Sequence, residues 1–230
     1  MLTYKLLGTL LTYPSEGLQH HMDEVKSAIE GEGLLPAKVQ RALFDFMDGY
    51  ATRNLLRQQE DYVALFDRGR THSLYLFEHV HGESRDRGQA MVDLTDHYKA
   101  HGFTLTASEL PDYLPLFLEF LSQLEMADAQ ALLDEIVHIV GAVGGKLKAK
   151  KSGYHQVFRA IEALAAVKVD KKFVAQAVAD AEAEDNSLEA LDKEWEEAPA
   201  FDGAGDASCA VCPEATRHPQ SGPTAAATQH

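Results

Sequence analysis

The fold class is decided by residues 109–121, which read Glu-Leu-Pro-Asp-Tyr-Leu-Pro-Leu-Phe-Leu-Glu-Phe-Leu. Asp112 is a residue type that caps helices, an effect worth roughly 1 kcal/mol, so a helix is predicted to begin after it. This helix is apolar nearly all round, and Glu119 is its one charge. Such a helix is either buried on every side or exposes an apolar face to a partner. Both interpretations stay open at this point.

Helical periodicity continues on both sides of this segment, and Val/Ile/Thr clusters with a period of two are absent. Helices are predicted to end before Pro14, to run from Ser15 to about Gly31, to start at Pro36, and to cover residues 55–66, 74–80, 84–101, 126–150, 154–167, 171–183 and 188–197. We therefore expect an all-α fold, a single-domain helical bundle over residues 1–198. Residues 199–230 are rich in Gly, Ala, Pro, Ser and Thr, which predicts a flexible, disordered tail.

The composition limits the classes of partner. The chain has 230 residues, 45% of them hydrophobic, and a net charge of −15. This acidity argues against nucleic acid and against direct binding to an anionic membrane surface, and it favours a basic or amphipathic protein partner. There are only two cysteines, no secretory signal pattern and no apolar run of membrane-spanning length. We expect a cytoplasmic protein.

No motif of a known catalytic site is present, so we expect no enzyme activity. Asp93 and His97 are four residues apart and share a helix face, and with His79 they make a metal-dependent hydrolase the alternative hypothesis. A solvated acid–imidazole pair is the simpler interpretation. Cys209 and Cys212 have metal spacing, but His218 is their only nearby third ligand. We therefore predict no metal and no cofactor.

The segment around residues 60–121 predicts a groove. Arginines at positions 68, 70, 85 and 87 flank residues 74–81, and an apolar run bracketed by arginines and histidines is typical of an apolar surface with a polar rim. Core packing with a solvated rim is the competing interpretation. An exposed groove of this kind would bind an amphipathic helix by its apolar anchors.

Four segments carry a resemblance to a known family. Residues 62–70 read Tyr-Val-Ala-Leu-Phe-Asp-Arg-Gly-Arg, and residues 76–94 read Leu-Phe-Glu-His-Val-His-Gly-Glu-Ser-Arg-Asp-Arg-Gly-Gln-Ala-Met-Val-Asp-Leu. Residues 109–116 extend the match, and residues 191–197, Leu-Asp-Lys-Glu-Trp-Glu-Glu, close it. The sequence resembles the NarJ-type nitrate reductase assembly chaperones, within the superfamily of TorD-type and DmsD-type chaperones. Residues 76–94 are the most specific part, because a long and mostly polar run does not arise from helix periodicity.

The resemblance implies an all-helical fold and a chaperone function. NarJ-type chaperones hold the apo catalytic (alpha) subunit of nitrate reductase in the cytoplasm through its N-terminal peptide, while the molybdenum cofactor is inserted. They delay membrane docking until the subunit is complete and are absent from the finished enzyme. The superfamily also implies a monomer or a weak, domain-swapped dimer. A structural adaptor that stays permanently in a complex is the remaining alternative.

Within this hypothesis, residues of the groove are predicted to bind the client peptide. The candidates are Tyr62, Arg70, Leu74, Phe77, Glu78, His79, Asp112, Tyr113, Leu116, Phe117, Glu119 and Phe120. A second set, His81, Arg85 and Arg87, is predicted to contact the client or its cofactor, with pairing to Glu83 or Asp86 as the alternative. The Asp-His pair of the superfamily reads Asp112-Tyr113 in this chain, so any pH-sensitive role of that histidine is in doubt.

Overall fold

The computed structural model describes residues 1–80, 86–105 and 109–183. Its helices are α1 (Leu2–Leu10), α2 (Glu16–His20), α3 (Met22–Glu32), α4 (Ala37–Thr52), α5 (Leu55–Tyr62), α6 (Asp86–Ala100), α7 (Leu114–Gln123), α8 (Met126–Ala149), α9 (His155–Leu164) and α10 (Lys171–Ala183). Among these residues there is no strand beyond an isolated antiparallel bridge between Tyr75 and Tyr113. The all-α prediction is confirmed. The predicted helix over 188–197 and the predicted tail over 199–230 lie outside the described residues.

The helix ends follow local side-chain chemistry. The Ser15 hydroxyl accepts a hydrogen bond from the Leu18 amide at 3.2 Å, and the Asn54 side chain accepts one from the Arg57 amide at 3.1 Å. Both are N-caps, which supply acceptors to the unpaired first-turn amides of α2 and α5. Gly33 ends α3 with a φ of +63°, a left-handed conformation that favours glycine. A residue far away in the sequence supplies an acceptor to the first turn of α1, since the Glu32 carboxylate accepts a hydrogen bond from the Thr3 amide at 2.7 Å.

Two predicted helices differ from the observed elements. The helix predicted from Ser15 to Gly31 is divided into α2 and α3 at His21, whose φ of −96° and ψ of 14° are not helical. The prediction of a helix over residues 74–80 is wrong. That region holds a 3-10 turn at Leu76–Glu78, preceded by a second one at Arg70–His72. Its residues form hydrogen bonds with the segment before α7, and these bonds replace helical ones.

The core forms around α7, which packs along α1, while α9 packs between α4 and α8, and α10 lies on α8. Leu7, Leu10, Leu118 and Leu121 are fully buried at the α1–α7 contact. The prediction for residues 109–121 had left two interpretations open, and the structure favours burial. Among the described helices none is long and apolar enough to cross a membrane.

We expect Gly8→Ala to destabilise the fold by about 1–3 kcal/mol, because the added Cβ creates overpacking between two helices. The Cβ would lie 2.9 Å from the Pro115 carbonyl oxygen and 3.3 Å from the Leu118 Cβ. Gly49, within α4, is the matched control, since a Cβ there meets nothing within 4 Å. Gly49→Ala should be neutral or stabilising by up to roughly 1 kcal/mol. Urea denaturation of both variants checks the prediction, and equal midpoints would contradict it.

Candidate functional site

The segment at residues 74–78 lies beside the segment that enters α7. The Leu76 amide donates to the Asp112 carbonyl oxygen at 3.0 Å, and the Leu114 amide donates to the Leu74 carbonyl oxygen at 2.8 Å. The Phe77 amide donates to the Asp112 carboxylate at 3.0 Å. These three bonds join two regions that resemble the chaperone family in sequence, and they fix the position of Tyr75 and Tyr113.

Asp112 does not cap α7, which corrects the prediction for this residue. The N-cap position is Tyr113, and no side chain caps the helix there. Asp112 is completely buried, and its Oδ1 has no hydrogen-bond partner among the described residues. Burial raises the pKa of its carboxyl group, while the Phe77 amide and the Arg87 guanidinium act in the opposite direction. The carboxylate therefore connects two segments of the fold and is not available at the surface.

Four tyrosines line a surface cleft of about 200 Å³ between the segment after α1, the end of α5 and the two joined segments. We call this cleft the tyrosine groove; it is lined by Tyr13, Tyr62, Phe66, Asp67, Leu74, Tyr75, Glu109 and Tyr113. The Tyr75 and Tyr113 ring centroids are 5.4 Å apart, and those of Tyr13 and Tyr62 are 5.6 Å apart. The aromatic faces give the groove a large apolar area, and the hydroxyl groups add hydrogen-bonding capacity.

The tyrosine groove continues into a neighbouring cleft on each side. One is lined by Lys5, Gly8, Thr9, Thr12, Pro115, Leu116 and Glu119 and shares Glu109 and Tyr113 with the groove. The other is lined by Arg68, Gly69, Arg70, Ser73 and Glu78 and shares Phe66, Asp67 and Tyr75. Together the three clefts form one surface, which we call the extended groove. Tyr113 lies at a junction of two of its parts.

A π-helical turn at Val63–Asp67 sets the wall of the extended groove. Turns of this kind are rare and frequent at functional sites, because one extra residue rotates the following side chains. Here the turn places Phe66 and Asp67 at the extended groove, and it places Ala64 and Leu65 at a separate cleft. Residues 62–70, which resemble the chaperone family, thus contain the turn that shapes this wall.

Charged side chains of both signs line the extended groove beside its tyrosines: the carboxylates are Asp67, Glu78, Glu109 and Glu119, and the cations are Lys5, Arg68 and Arg70. Asp67, Glu109 and Glu119 are exposed. Burial raises the pKa of Tyr75 to about 12, and the hydrogen bond that its hydroxyl donates to the Glu109 carboxylate at 3.1 Å acts in the same direction. The part of the Asp67 carboxyl group that the neighbouring residues cover is desolvated, and this raises its pKa. Lys5 pairs with Glu119 at 2.8 Å, an exposed pair that contributes little to stability.

The extended groove brings together seven of the predicted contact residues, namely Tyr62, Arg70, Leu74, Glu78, Tyr113, Leu116 and Glu119. Tyr62 is 4% exposed, and its hydroxyl donates to the Leu11 carbonyl oxygen at 2.8 Å. Leu74 is 4% exposed and forms part of the floor. Leu116 is half-buried and Glu119 is exposed, so these two are the accessible positions of α7 that line the extended groove.

The other predicted contact residues lie away from this surface. Phe117 and Phe120 are each 4% exposed and belong to the core, where Phe120 packs against Tyr98 and Phe103. Phe77 is half-buried against the core. A ring nitrogen of His79 lies 2.9 Å from the Ser73 carbonyl oxygen. Phe117 and Phe120 are buried because α7 contacts other elements on most of its sides. Helix periodicity alone does not show how many sides of a helix are covered.

The second predicted set is only partly described. His81 and Arg85 lie outside the described residues, as does Glu83. Arg87 is half-buried and pairs with Glu78 at 3.4 Å, and not with Asp86 as the alternative interpretation had it. This pair connects α6 to the 3-10 turn at Leu76–Glu78.

The metal hypothesis finds no support among the described residues. The Asp93 carboxylate accepts a hydrogen bond from the Gln89 side chain at 2.7 Å, and the His97 ring lies 4.6 Å from the His101 ring. Within the described part of the chain, no three His, Cys, Asp or Glu side chains are placed to hold a metal ion. Cys209, Cys212 and His218 are outside that part.

Sequence reasoning did not select several residues of the extended groove, among them Lys5, Tyr13, Asp67, Tyr75 and Glu109. Asp67 and Glu109 lie within the segments that resemble the chaperone family, so the resemblance could have identified them. Lys5 and Tyr13 carry no local signal. They reach the groove only because α1 packs against α7.

The comparisons with known proteins agree with the resemblance. The family described as the nitrate reductase delta subunit matches residues 32–158. The nitrate reductase molybdenum cofactor assembly chaperone NarJ of Escherichia coli (strain K12) is 44% identical over 197 residues, which are 86% of this chain and 83% of that protein. The probable chaperone NarW of the same organism is 40% identical over 84% of this chain and 80% of its own length. The probable NarJ of Bacillus subtilis (strain 168) is 30% identical over 70% of this chain and 86% of its own length.

Proposed function

The chain belongs to the family of NarJ-type nitrate reductase assembly chaperones, and from this premise we propose that it binds the catalytic subunit of a nitrate reductase before that subunit holds its molybdenum cofactor. The family is one of chaperones and not of enzymes. The observation that carries the proposal is the 44% identity over 197 residues, because that length includes most of the folded chain. The molybdenum cofactor is then cargo of the client and not a group held by the chaperone.

The extended groove is the surface we propose for the N-terminal segment of the client. An amphipathic helix would place its apolar side chains against Tyr13, Tyr75, Tyr113 and Leu116, which are at least partly exposed. Basic residues of the segment would then face Asp67, Glu109 and Glu119. Charge complementarity of this kind raises the association rate more than it strengthens binding.

A segment held in the groove is unavailable to a membrane partner, and this is the physical basis for delayed docking. We propose that release follows cofactor insertion, and that the complex forms in the cytoplasm. The net charge of −15 supports assembly away from the membrane, since a chain so acidic is repelled by an anionic membrane surface.

A pull-down from cells that lack molybdenum cofactor tests the proposal. We expect the tagged chain to recover a cofactor-free nitrate reductase subunit from these cells. The matched control uses cofactor-replete cells, in which recovery should fall because the mature enzyme no longer binds. Equal recovery of the mature membrane enzyme would favour a permanent structural adaptor, and failure to recover any reductase subunit would contradict the proposal.

A further inference from the structure

A further cleft in the described residues is separate from the extended groove. It has a volume of about 680 Å³ and lies between α4, α5 and the turn that joins α8 to α9. Its lining residues are Asp45, Phe46, Gly49, Tyr50, Arg53, Gln58, Asp61, Ala64, Leu65, Lys150, Lys151, Ser152, Gly153 and Tyr154. We call it the α8–α9 cleft. Its volume is in the range of pockets that hold organic molecules.

One edge of the α8–α9 cleft is basic. Lys150 and Lys151 are exposed, and among the described residues neither has an ion-pair partner. Arg53 and Asp61 pair with each other, which leaves Asp45 as the one other charged lining residue. In a chain of net charge −15 this edge is a local region of positive charge. It would attract an anion more strongly than the surrounding surface does.

The backbone of Lys151 indicates that its side chain is used. It is the only non-glycine residue in the described part of the chain with a positive φ, which is +57°. The residue directly after a helix C-cap commonly adopts this left-handed conformation, and glycine is the usual residue there because a Cβ is disfavoured. Lys150 has a sufficient structural explanation, since cations at a helix C-terminus are stabilising. No such structural explanation applies to Lys151, because glycine at this position would form the same turn at lower free energy.

Three aromatic side chains, Phe46, Tyr50 and Tyr154, line the α8–α9 cleft. The Phe46 ring centroid lies 5.3 Å from that of Tyr154 and 6.0 Å from that of Tyr50. Among the described residues, the hydroxyl groups of Tyr50 and Tyr154 have no hydrogen-bond partner, although both side chains are more than nine-tenths buried. Both hydroxyl oxygens are enclosed by protein, so the aromatic rings are what these residues contribute to the lining of the cleft.

We propose that the α8–α9 cleft is a second binding site, distinct from the extended groove, for an organic anion with a flat apolar body. The ring system of the ligand packs on Phe46 and its neighbours, and the carboxylate or phosphate group lies at Lys150 and Lys151. This site does not depend on the client-binding role proposed above, because no residue of the extended groove lines it.

Titration of the full chain with 2-naphthyl phosphate and with 2-naphthoate, followed by naphthyl fluorescence anisotropy, tests the site. The neutral probe is 2-methoxynaphthalene. We expect at least one anion to bind about tenfold more tightly than the neutral probe, as one charge-assisted contact would give. Tighter binding of the phosphate identifies a phosphate ester as the natural class, and tighter binding of the carboxylate identifies a carboxylic acid.

Lys151→Gly separates binding from structure. We expect this variant to lose about fivefold to tenfold in affinity for the anion, while its urea midpoint rises because the strained conformation is relieved. Lys148→Gln is the matched control, since Lys148 is an exposed lysine of α8 that does not line the cleft. It should leave affinity unchanged. Equal binding of neutral and anionic probes, or unchanged affinity in Lys151→Gly, would overturn the proposal.

Discussion

The Phe117→Asp variant is expected to lose more than about 4 kcal/mol of unfolding free energy, because it removes a core aromatic ring and buries a carboxylate. Phe117 is 4% exposed and lies in α7, at the centre of the core. Domains of this size are stable by roughly 5–15 kcal/mol, so much of the population would be unfolded. Urea denaturation followed by circular dichroism measures the change. A midpoint close to that of the unmodified chain would contradict the burial of α7.

Leu116→Asp is the informative partner of that variant. Leu116 is adjacent in α7, half-buried, and lines the extended groove beside Tyr113. We expect this variant to keep most of its stability and to bind the N-terminal peptide of the client at least tenfold more weakly, since the apolar contact is lost. Loss of binding in Phe117→Asp would not identify Phe117 as a contact residue, because that variant is expected to unfold. Unchanged affinity in folded Leu116→Asp would remove this end of the extended groove from the proposed site.

Acidification is expected to cost about 3 kcal/mol of stability through His72 alone. His72 is 4% exposed in the 3-10 turn at Arg70–His72. Burial lowers its pKa from 6.5 to about 4, and the positive charges of Lys150 and Lys146 and the nearby His79 act in the same direction. The folded chain therefore holds this imidazole neutral at a pH where the unfolded chain protonates it.

The direction of the pH dependence follows from these values. Above pH 6.5 both states are neutral at His72, so the residue has no effect on stability. Between pH 6.5 and about 4 only the unfolded state gains the proton, and the unfolding free energy falls. The lowered pKa of His79, caused mainly by burial, adds to this loss. Urea midpoints measured between pH 7 and pH 4 should decline less steeply in His72→Leu, and an unchanged slope would contradict the assignment.

The predictions from sequence succeeded where local chemistry decides the structure. The helix start at Ser15, the end of α6 near residue 101 and the long helix α8 are set by residues close in the chain, and these three predictions are confirmed. Asp112 shows where local reasoning fails. Its residue type is that of a helix cap, yet the carboxylate accepts a hydrogen bond from Phe77, which is 35 positions away. A distant donor of this kind leaves no periodic signal.

The sequence by itself determined the all-α class, most helix boundaries and membership of the chaperone family. Helix periodicity and capping act over a few residues, and the long polar run 76–94 is specific by its length. Only the tertiary structure decided which face of α7 is accessible, where Tyr13 and Lys5 join the extended groove, and that a separate cleft forms beside the α8–α9 turn. Burial depends on which helices pack together, and that is a property of contacts between residues far apart in the chain.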